Sequence, residues 1–145
     1  MLMSGVEVTN PPNKYGETPL HMAAANGHRE VCRMIVERNM HDPNPGDKFG
    51  NTPLHEAARK GHTEVYQLIM DLVEDKNPAR RDSGTTPLHL AAGNGHLAIT
   101  RMILEHVADK NPADHVNDTT PMELAARKGH WDICRLFKIR GPNRG

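Results

Sequence analysis

The chain has few aromatic residues, no excess of either charge and no long apolar run. Only 3% of its 145 residues are Phe, Trp or Tyr, so its core must consist of Ala, Leu, Ile, Val and Met, a composition that suits closely packed helices. Its 18 Lys and Arg balance 18 Asp and Glu, which removes the strongest electrostatic reason to expect nucleic-acid or membrane binding. No stretch approaches the roughly 20 apolar residues that span a bilayer.

Cysteine is also scarce. Cys32 and Cys134 are the only two, too few for a disulfide framework. Residues 1–12 lack the basic start and the apolar run of a signal peptide. Together these features predict a reducing, intracellular location, in the cytoplasm or the nucleus.

An internal repeat of 34 residues organises the sequence. Paired alanines and Gly-His pairs recur in phase with four Thr-Pro pairs, which are Thr18-Pro19, Thr52-Pro53, Thr86-Pro87 and Thr120-Pro121. A unit of this size cannot bury its apolar faces alone, so the units must stack on one another as a solenoid.

Each unit predicts two helices. Threonine is a good N-cap and proline fits the first helical position, so the first helix begins at Thr-Pro. The glycine of the Gly-His pair can take the left-handed conformation that ends it. A second apolar face then follows in all four copies, with Val31, Met34 and Ile35; Val65, Leu68 and Ile69; Ile99, Met102 and Ile103; and Ile133, Leu136 and Phe137.

The segments between units are typical of turns or short hairpins. They contain Asn44-Pro45, Asn77-Pro78 and Asn111-Pro112. The spacing puts an extra residue before Asn44 in the first junction but after Asn77 and Asn111 in the other two. We therefore expect the hairpins to differ in length along the array.

The motifs resemble those of a known family, the ankyrin repeats. Three units match its Thr-Pro-Leu-His-x-Ala-Ala pattern, at residues 18–24, 52–58 and 86–92, and residues 120–126 are a weaker version. The resemblance implies an all-α ankyrin-repeat solenoid of stacked helix-turn-helix units with connecting β-hairpin loops. Its repeats would span 13–46, 47–80, 81–114 and a polar capping unit at 115–145, with 1–12 as a stub or the tail of a preceding repeat.

This chain departs from the family pattern where the second helix usually ends in glycine. Asn39, Val73 and Val107 stand there instead. We expect the Asn-Pro turns to close these helices.

An enzyme is not predicted, and neither is a metal or any other cofactor. Seven of the ten histidines occupy repeat positions, and none belongs to a Cys/His pattern with zinc-ligand spacing. The resemblance implies that the motif histidine bonds to the cap threonine and nearby backbone, tying one repeat to the next. Cys32 and Cys134 lie three periods apart and are predicted to be packing residues.

The resemblance also implies a concave binding surface, formed by the hairpin tips and the exposed face of each first helix. The positions that match are Lys14, Tyr15, Glu17, Met22, Asn26, Lys48, Phe49, Asn51, Glu56, Arg59, Lys60, Asp82, Ser83, Leu90, Asn94, Asn117, Arg127 and Lys128.

These positions predict a non-enzymatic protein-protein interaction module. Tyr15 and Phe49 fall at equivalent tips, where an aromatic ring is a plausible anchor for a partner, although each ring would also suit packing on the neighbouring hairpin. The Arg-Lys pairs at 59–60 and 127–128 favour a partner with an acidic segment, although solvated surface charges explain them as well. We expect a monomer with no small-molecule substrate, no membrane contact and no nucleic-acid partner.

Two alternatives stay open at this point. The chain could be a structural spacer of a larger multidomain protein whose activity lies elsewhere. Binding of nucleic acid through the Arg-Lys pairs is the other alternative, and zero net charge argues against it.

Overall fold

The structure, a computed structural model, describes residues 9–140, and side chains as far as Lys138. These residues form eight helices in four pairs and contain no β-strand. The helices are α1 (Pro19–Ala25), α2 (Arg29–Arg38), α3 (Pro53–Lys60), α4 (Thr63–Met70), α5 (Pro87–Gly93), α6 (Leu97–His106), α7 (Pro121–Arg127) and α8 (Trp131–Arg140). The first helices α1, α3, α5 and α7 pack in sequence, and the second helices α2, α4, α6 and α8 form a parallel layer. The predicted all-α stack is confirmed.

Every first helix begins with a capping box. The side chain of Thr18 accepts a hydrogen bond from the backbone N of His21 at 3.3 Å, and the His21 ring accepts one from the backbone N of Thr18 at 3.0 Å. The boxes of α3 and α5 have the same partners, and in α7 the carboxylate of Glu123 takes the place of the ring. Proline fills the first helical position in all four helices, as predicted.

Glycine ends these helices for two reasons. Gly61 has φ +82°, and the glycines of the other three Gly-His pairs are also at positive φ, a conformation that costs a side-chain-bearing residue free energy. In addition, a Cβ atom on Gly61 would lie 2.6 Å from the ring of His96 in the next repeat. The same residue type therefore ends the helix and makes room for the neighbouring repeat.

The core lies between the two layers of helices. The alanine pairs of α3 and α5 have no exposed surface, which lets first helices approach closely. Tyr66 is fully buried where the other repeats have Cys32, Thr100 and Cys134. Its hydroxyl donates to the carbonyl of Lys76 at 2.8 Å, so the one bulky residue at this position is also hydrogen bonded.

Lysine side chains close two of the second helices. The ammonium group of Lys76 donates to the carbonyls of Met70 and Val73, at 2.8 and 2.6 Å. Lys110 does the same for Leu104 and Val107. A cation at this end bonds to carbonyls that lack helical partners and complements the helix dipole.

The Asn-Pro turns have a different role from the expected one. The side chain of Asn77 accepts a hydrogen bond from the backbone N of Leu88 at 2.9 Å, and Asn111 accepts one from Met122 at 3.2 Å. These asparagines therefore support the start of the next first helix. At the end of α2 it is the amide of Asn39 that donates to a carbonyl, that of Ile35, at 2.7 Å.

The connecting loops are four hydrogen-bonded turns that we call fingers 1 to 4. Each is closed by a backbone hydrogen bond, from Asn13 to Glu17, Asp47 to Asn51, Arg80 to Thr85 and Asp114 to Thr119. Fingers 3 and 4 are thus one residue longer than fingers 1 and 2. The expected difference in hairpin length is confirmed.

The two ends of the stack differ from its interior. Val31 is 47% exposed, whereas Val65 at the same position of the next repeat is 1% exposed. At the other end Lys138 is exposed where Met70 and Leu104 are buried. Of the expected stub at 1–12, residues 1–8 lie outside the described part of the chain, as do residues 141–145 of the last unit.

Candidate binding surface

A backbone ladder joins the fingers along one side of the stack. The N–H of Lys48 donates to the carbonyl of Tyr15 at 3.0 Å. The N–H of Arg81 donates to Phe49 at 2.9 Å, and that of His115 donates to Ser83 at 2.7 Å. The tips are therefore held in a fixed relation to one another by main-chain hydrogen bonds.

The ladder shows which tip residues correspond. Arg81 and His115 occupy the place of Lys48, so finger 3 accommodates its extra residue at Asp82. A spacing of 34 residues puts Asp82 in that place instead, and sequence reasoning therefore missed Arg81 and His115. The displaced Asn-Pro pairs were the available signal, since they showed that fingers 3 and 4 are longer.

Finger 3 also differs at its base. In finger 2 a carboxylate oxygen of Asp47 accepts from the backbone N of Phe49 and of Asn51, at 2.8 and 2.9 Å. Arg80 stands at the corresponding position of finger 3 and has no acceptor to offer. It forms an ion pair with Asp82 at 2.8 Å instead, and this hydrogen bond lowers the pKa of the Asp82 carboxyl group.

Fingers 1 to 3 enclose an open cleft of about 510 Å³, which we call the aromatic cleft. Its lining residues are Tyr15, Glu17, Asp47, Phe49, Asn51, Glu56, Arg59 and Arg80. The rings of Tyr15 and Phe49 are 50% and 49% exposed. Cations lie near both, with the Lys14 ammonium 5.2 Å from the Tyr15 ring centre and the Arg80 guanidinium 5.9 Å from that of Phe49.

A short polar chain forms one wall of the aromatic cleft. The amide of Asn51 donates to a carboxylate oxygen of Glu56 at 2.8 Å, and the other oxygen of Glu56 pairs with Arg59. Asn51 itself is only 6% exposed. Asn51, predicted as a partner contact, therefore lines the cleft but has little exposed surface, and its side chain mainly supports Glu56.

The other predicted positions fall into two groups. Those that are exposed are Lys14, Tyr15, Glu17, Met22, Asn26, Lys48, Phe49, Lys60, Asp82, Asn94, Asn117, Arg127 and Lys128. Those that are partly buried are Glu56, Arg59, Ser83 and Leu90. Of the predicted positions, the structure thus brings six together in the aromatic cleft, namely Tyr15, Glu17, Phe49, Asn51, Glu56 and Arg59. The others, including Asp82 and Ser83 of finger 3 and Asn117, Arg127 and Lys128 of the last repeat, are not part of its lining.

Histidines connect this surface to the helices beneath it. The Nε2 atom of His21 lies 2.7 Å from the carbonyl of Asn51. His55 and Thr85 are 3.0 Å apart in the same way, as are His89 and Thr119 at 2.8 Å. Each motif histidine therefore links its own cap threonine to the end of the next finger, as the resemblance implied.

A second set of histidines links the first helices. The Nε2 atom of His62 lies 3.1 Å from the carbonyl of Ala25, and that of His96 lies 3.0 Å from the carbonyl of Arg59. Each of these rings also packs on the glycine that ends the preceding first helix. Both sets of histidines thus have structural partners.

The described residues offer little reactive chemistry. They contain no group of three or more His, Cys, Asp or Glu side chains that could hold a metal ion. Cys32 is fully buried, and burial raises the pKa of its thiol to about 11. The predicted packing role of this cysteine agrees with its position in the core.

Comparison with known proteins assigns the fold to a family. No curated protein matches the chain, and no described helix is long and apolar enough to cross a bilayer. A family model described as ankyrin repeats in three copies matches residues 1–80 and again residues 67–143. With four capped helix pairs joined by hydrogen-bonded fingers, the chain belongs to the ankyrin-repeat family.

Proposed function

We propose that this chain is a non-enzymatic interaction module that binds a partner protein or peptide through its fingers and first helices. Ankyrin repeats are generally protein-protein interaction modules and are typically non-enzymatic. For this chain, we place the centre of the binding surface at the aromatic cleft and take the exposed positions around the cleft as the contacts.

The observation that carries the proposal is the exposure of two aromatic rings on one rigid cleft. Tyr15 and Phe49 each leave about half of their surface in water, and burying an aromatic side chain against a partner is strongly favourable. The finger ladder holds the backbone of both residues, so little conformational entropy would be lost on binding. Fingers 3 and 4 offer only Ser83 and Asn117 at the corresponding places.

The charges around the cleft favour a partner with an acidic segment. Lys14, Lys48 and Lys60 are exposed, and Arg127 and Lys128 extend the basic character to the last repeat. Arg59 and Arg80 contribute less, because each is already paired with a carboxylate of this chain. Exposed cations of this kind increase association rates more than they increase affinity.

The remaining parts of the proposal concern what the surface does not bind. We propose a monomer without a small-molecule substrate and without a membrane or nucleic-acid partner. A net charge of zero supports the last point, since nucleic-acid binding needs an excess of cations. The free cysteines support a reducing, intracellular location.

Affinity capture from a cell lysate followed by mass spectrometry tests the proposal. The chain should be compared with a Tyr15→Ala/Phe49→Ala variant and with a control, Ser83→Ala/Asn117→Ala, that alters the corresponding tips of fingers 3 and 4. Circular dichroism must first show that both variants keep their helices. Any partner should then be purified and its affinity measured directly.

We expect a partner that the wild type and the control retain and the aromatic variant loses, with affinity falling at least tenfold. Lys14→Glu/Lys48→Glu should mainly slow association and reduce its dependence on salt. If the aromatic variant binds every partner as tightly as the wild type, the cleft is not the binding site. If the wild type captures no specific partner, the interpretation of the chain as a structural spacer is the better one.

A further inference from the structure

The side-chain amide of Asn51 is held in one orientation in the wall of the aromatic cleft. Its nitrogen lies 2.8 Å from a carboxylate oxygen of Glu56, which can only accept, so the NH2 group faces Glu56 and the carbonyl oxygen Oδ1 points away from it. The backbone N of the same residue donates to Asp47 at 2.9 Å. Asn51, Asp47 and Glu56 all line the cleft, so this amide is part of its wall.

The Oδ1 atom of Asn51 has no donor. Among the described residues it is the only fully buried side-chain oxygen or nitrogen without a hydrogen-bond partner, and native structures usually avoid the free-energy cost of such an acceptor. The two carboxylates to which Asn51 is bonded cannot donate to it. The guanidinium groups of the cleft are already used, since Arg59 pairs with Glu56 and Arg80 pairs with Asp82. A donor from a bound molecule would complete the hydrogen bonding of this amide.

The chemistry around this acceptor favours a cation. Three carboxylates line the cleft, those of Glu17, Asp47 and Glu56, against two guanidinium groups. The faces of the Tyr15 and Phe49 rings also attract cations, and a cation of this chain already lies near each ring centre. A carbonyl acceptor, carboxylates and aromatic faces are together the groups that recognise a basic side chain.

Arginine fits all three kinds of group at once. Its planar guanidinium donates in several directions and stacks on aromatic rings, whereas the ammonium group of lysine is a compact charge. One arginine can therefore donate to Oδ1 and to a carboxylate while its plane lies against a ring. We propose that the aromatic cleft binds an arginine side chain of the partner, with Asn51 Oδ1 as one of its acceptors.

This inference rests on the proposed function and adds the residue type at the centre of the interface. The exposed lysines around the cleft, Lys14, Lys48 and Lys60, favour acidic residues on the partner. The partner segment is therefore an arginine with acidic residues on both sides.

Fingers 3 and 4 provide a substitution that removes Oδ1. Thr85 and Thr119 hold the place of Asn51, and their backbone carbonyls close their fingers as that of Asn51 closes finger 2. Both carbonyls also face a motif histidine, as does that of Asn51. A threonine at residue 51 should therefore keep finger 2 closed while removing the amide.

Titration of the full chain with three synthetic peptides, followed by proton–nitrogen NMR, tests the proposal. Each peptide has the sequence Asp-Glu-Gly-X-Gly-Glu-Asp, where X is arginine, citrulline or norleucine. Citrulline keeps the shape of arginine and most of its donors without the charge, and norleucine has neither donors nor charge. The proteins are the wild type, Asn51→Thr and the control Gln67→Ala. Gln67 is a matched control because its amide also donates to a carboxylate, that of Asp71 at 3.0 Å, but on α4.

We expect the arginine peptide to bind the wild type at least about tenfold more tightly than the norleucine peptide, with citrulline between them. Asn51→Thr should weaken the arginine and citrulline peptides at least about threefold and leave the norleucine peptide unchanged. Gln67→Ala should change none of the three. Equal affinities of the peptides, no binding at the cleft, or the same preference in Asn51→Thr would overturn the proposal.

Two further readouts keep the result decisive. If Asn51→Thr does not keep its helices by circular dichroism, the side-chain amide signals of Asn51 in the wild type decide. A shift with the arginine and citrulline peptides but not with norleucine supports the site, and the same response to all three refutes it. The proposed function is tested separately by the Tyr15→Ala/Phe49→Ala variant. A captured partner that needs both rings but binds Asn51→Thr as tightly as the wild type would refute the arginine site and leave the proposed function intact.

Discussion

At the scale of single residues, one position on the second helix holds three different residue types in the four repeats. It holds Cys32, Tyr66, Thr100 and Cys134, and the first three have no exposed surface. Tyr66 donates to a backbone carbonyl, and Thr100 donates to that of His96 at 2.8 Å. Cys32 is a small apolar residue at the same place, so its chemistry is suppressed by its surroundings.

We therefore predict that Cys32 is unreactive while the chain is folded. Thiol reagents attack the thiolate, and a pKa raised to about 11 leaves very little of it at pH 8. In a Cys134→Ala variant, labelling with a disulfide reagent should be at least about a hundredfold slower than for a model thiol. Addition of urea should restore the ordinary rate, and fast labelling of the folded variant would contradict the prediction.

Residue roles could be predicted where a motif fixes the local geometry. The Thr-Pro pairs predicted the helix starts and the Gly-His pairs predicted the helix ends, because capping and positive φ are local requirements. The burial of Asn51 could not be predicted this way. It depends on how finger 2 closes and on the position of the Glu56 side chain, which follows five residues later in the sequence and accepts the hydrogen bond. The repeat pattern determines neither.

At the scale of elements, the second helices show how a missing glycine is replaced. Lys76 and Lys110 each reach back to two carbonyls at the end of their helix. The sequence predicted this role for the Asn-Pro turns, because its pattern indicates only residues that end helices through their backbone conformation. A lysine that follows the helix by several residues carries no comparable local signal.

We predict that Lys76→Met destabilises the chain by about 1 to 2 kcal/mol, because it removes two charge-assisted hydrogen bonds to carbonyls at and just beyond the end of α4. Methionine retains most of the apolar stem. The matched control is Lys60→Met, whose side chain is exposed on the last turn of α3 and which should change stability by less than about 0.5 kcal/mol. Equal effects of the two substitutions in urea unfolding would argue against the capping role.

The finger register shows the limit of periodicity at this scale. A fixed spacing of 34 residues is correct for the helices and for Ser83 and Asn117, yet it misassigns the ladder donors of fingers 3 and 4 by one position. Asp82 takes up the extra residue, while Arg81 and His115 continue the backbone ladder. Loop length varies because the fingers face solvent, where an added residue costs little packing.

At the scale of the whole molecule, the stack is asymmetric. Its first repeat presents Val31 and Met34 at 47% exposure each, whereas every other described repeat covers the residue corresponding to Val31. Among the described residues, the first repeat therefore receives stabilising contacts from one neighbouring repeat only. In a one-dimensional array, stability is close to a sum of such nearest-neighbour contacts.

We predict that the position of a valine in the stack decides its contribution to stability. Val65→Ala should cost about 2 kcal/mol, since it removes buried apolar surface and leaves a cavity. Val31→Ala should cost less than about 1 kcal/mol, because half of that side chain is already in water. Chemical unfolding of both variants measures the difference, and equal costs would mean that the first repeat is covered in solution.

The two capping lysines have a practical consequence for following motions of this chain. Their ammonium groups are held by helix-end carbonyls, whereas Lys14, Lys48, Lys60 and Lys128 are exposed. We therefore expect an amine-acylating reagent to modify the exposed lysines first and to modify Lys76 and Lys110 more slowly, since their ammonium groups are released when the end of α4 or α6 frays. The acylation rate of each capping lysine therefore reports how often the end of its own helix opens, without an engineered probe residue.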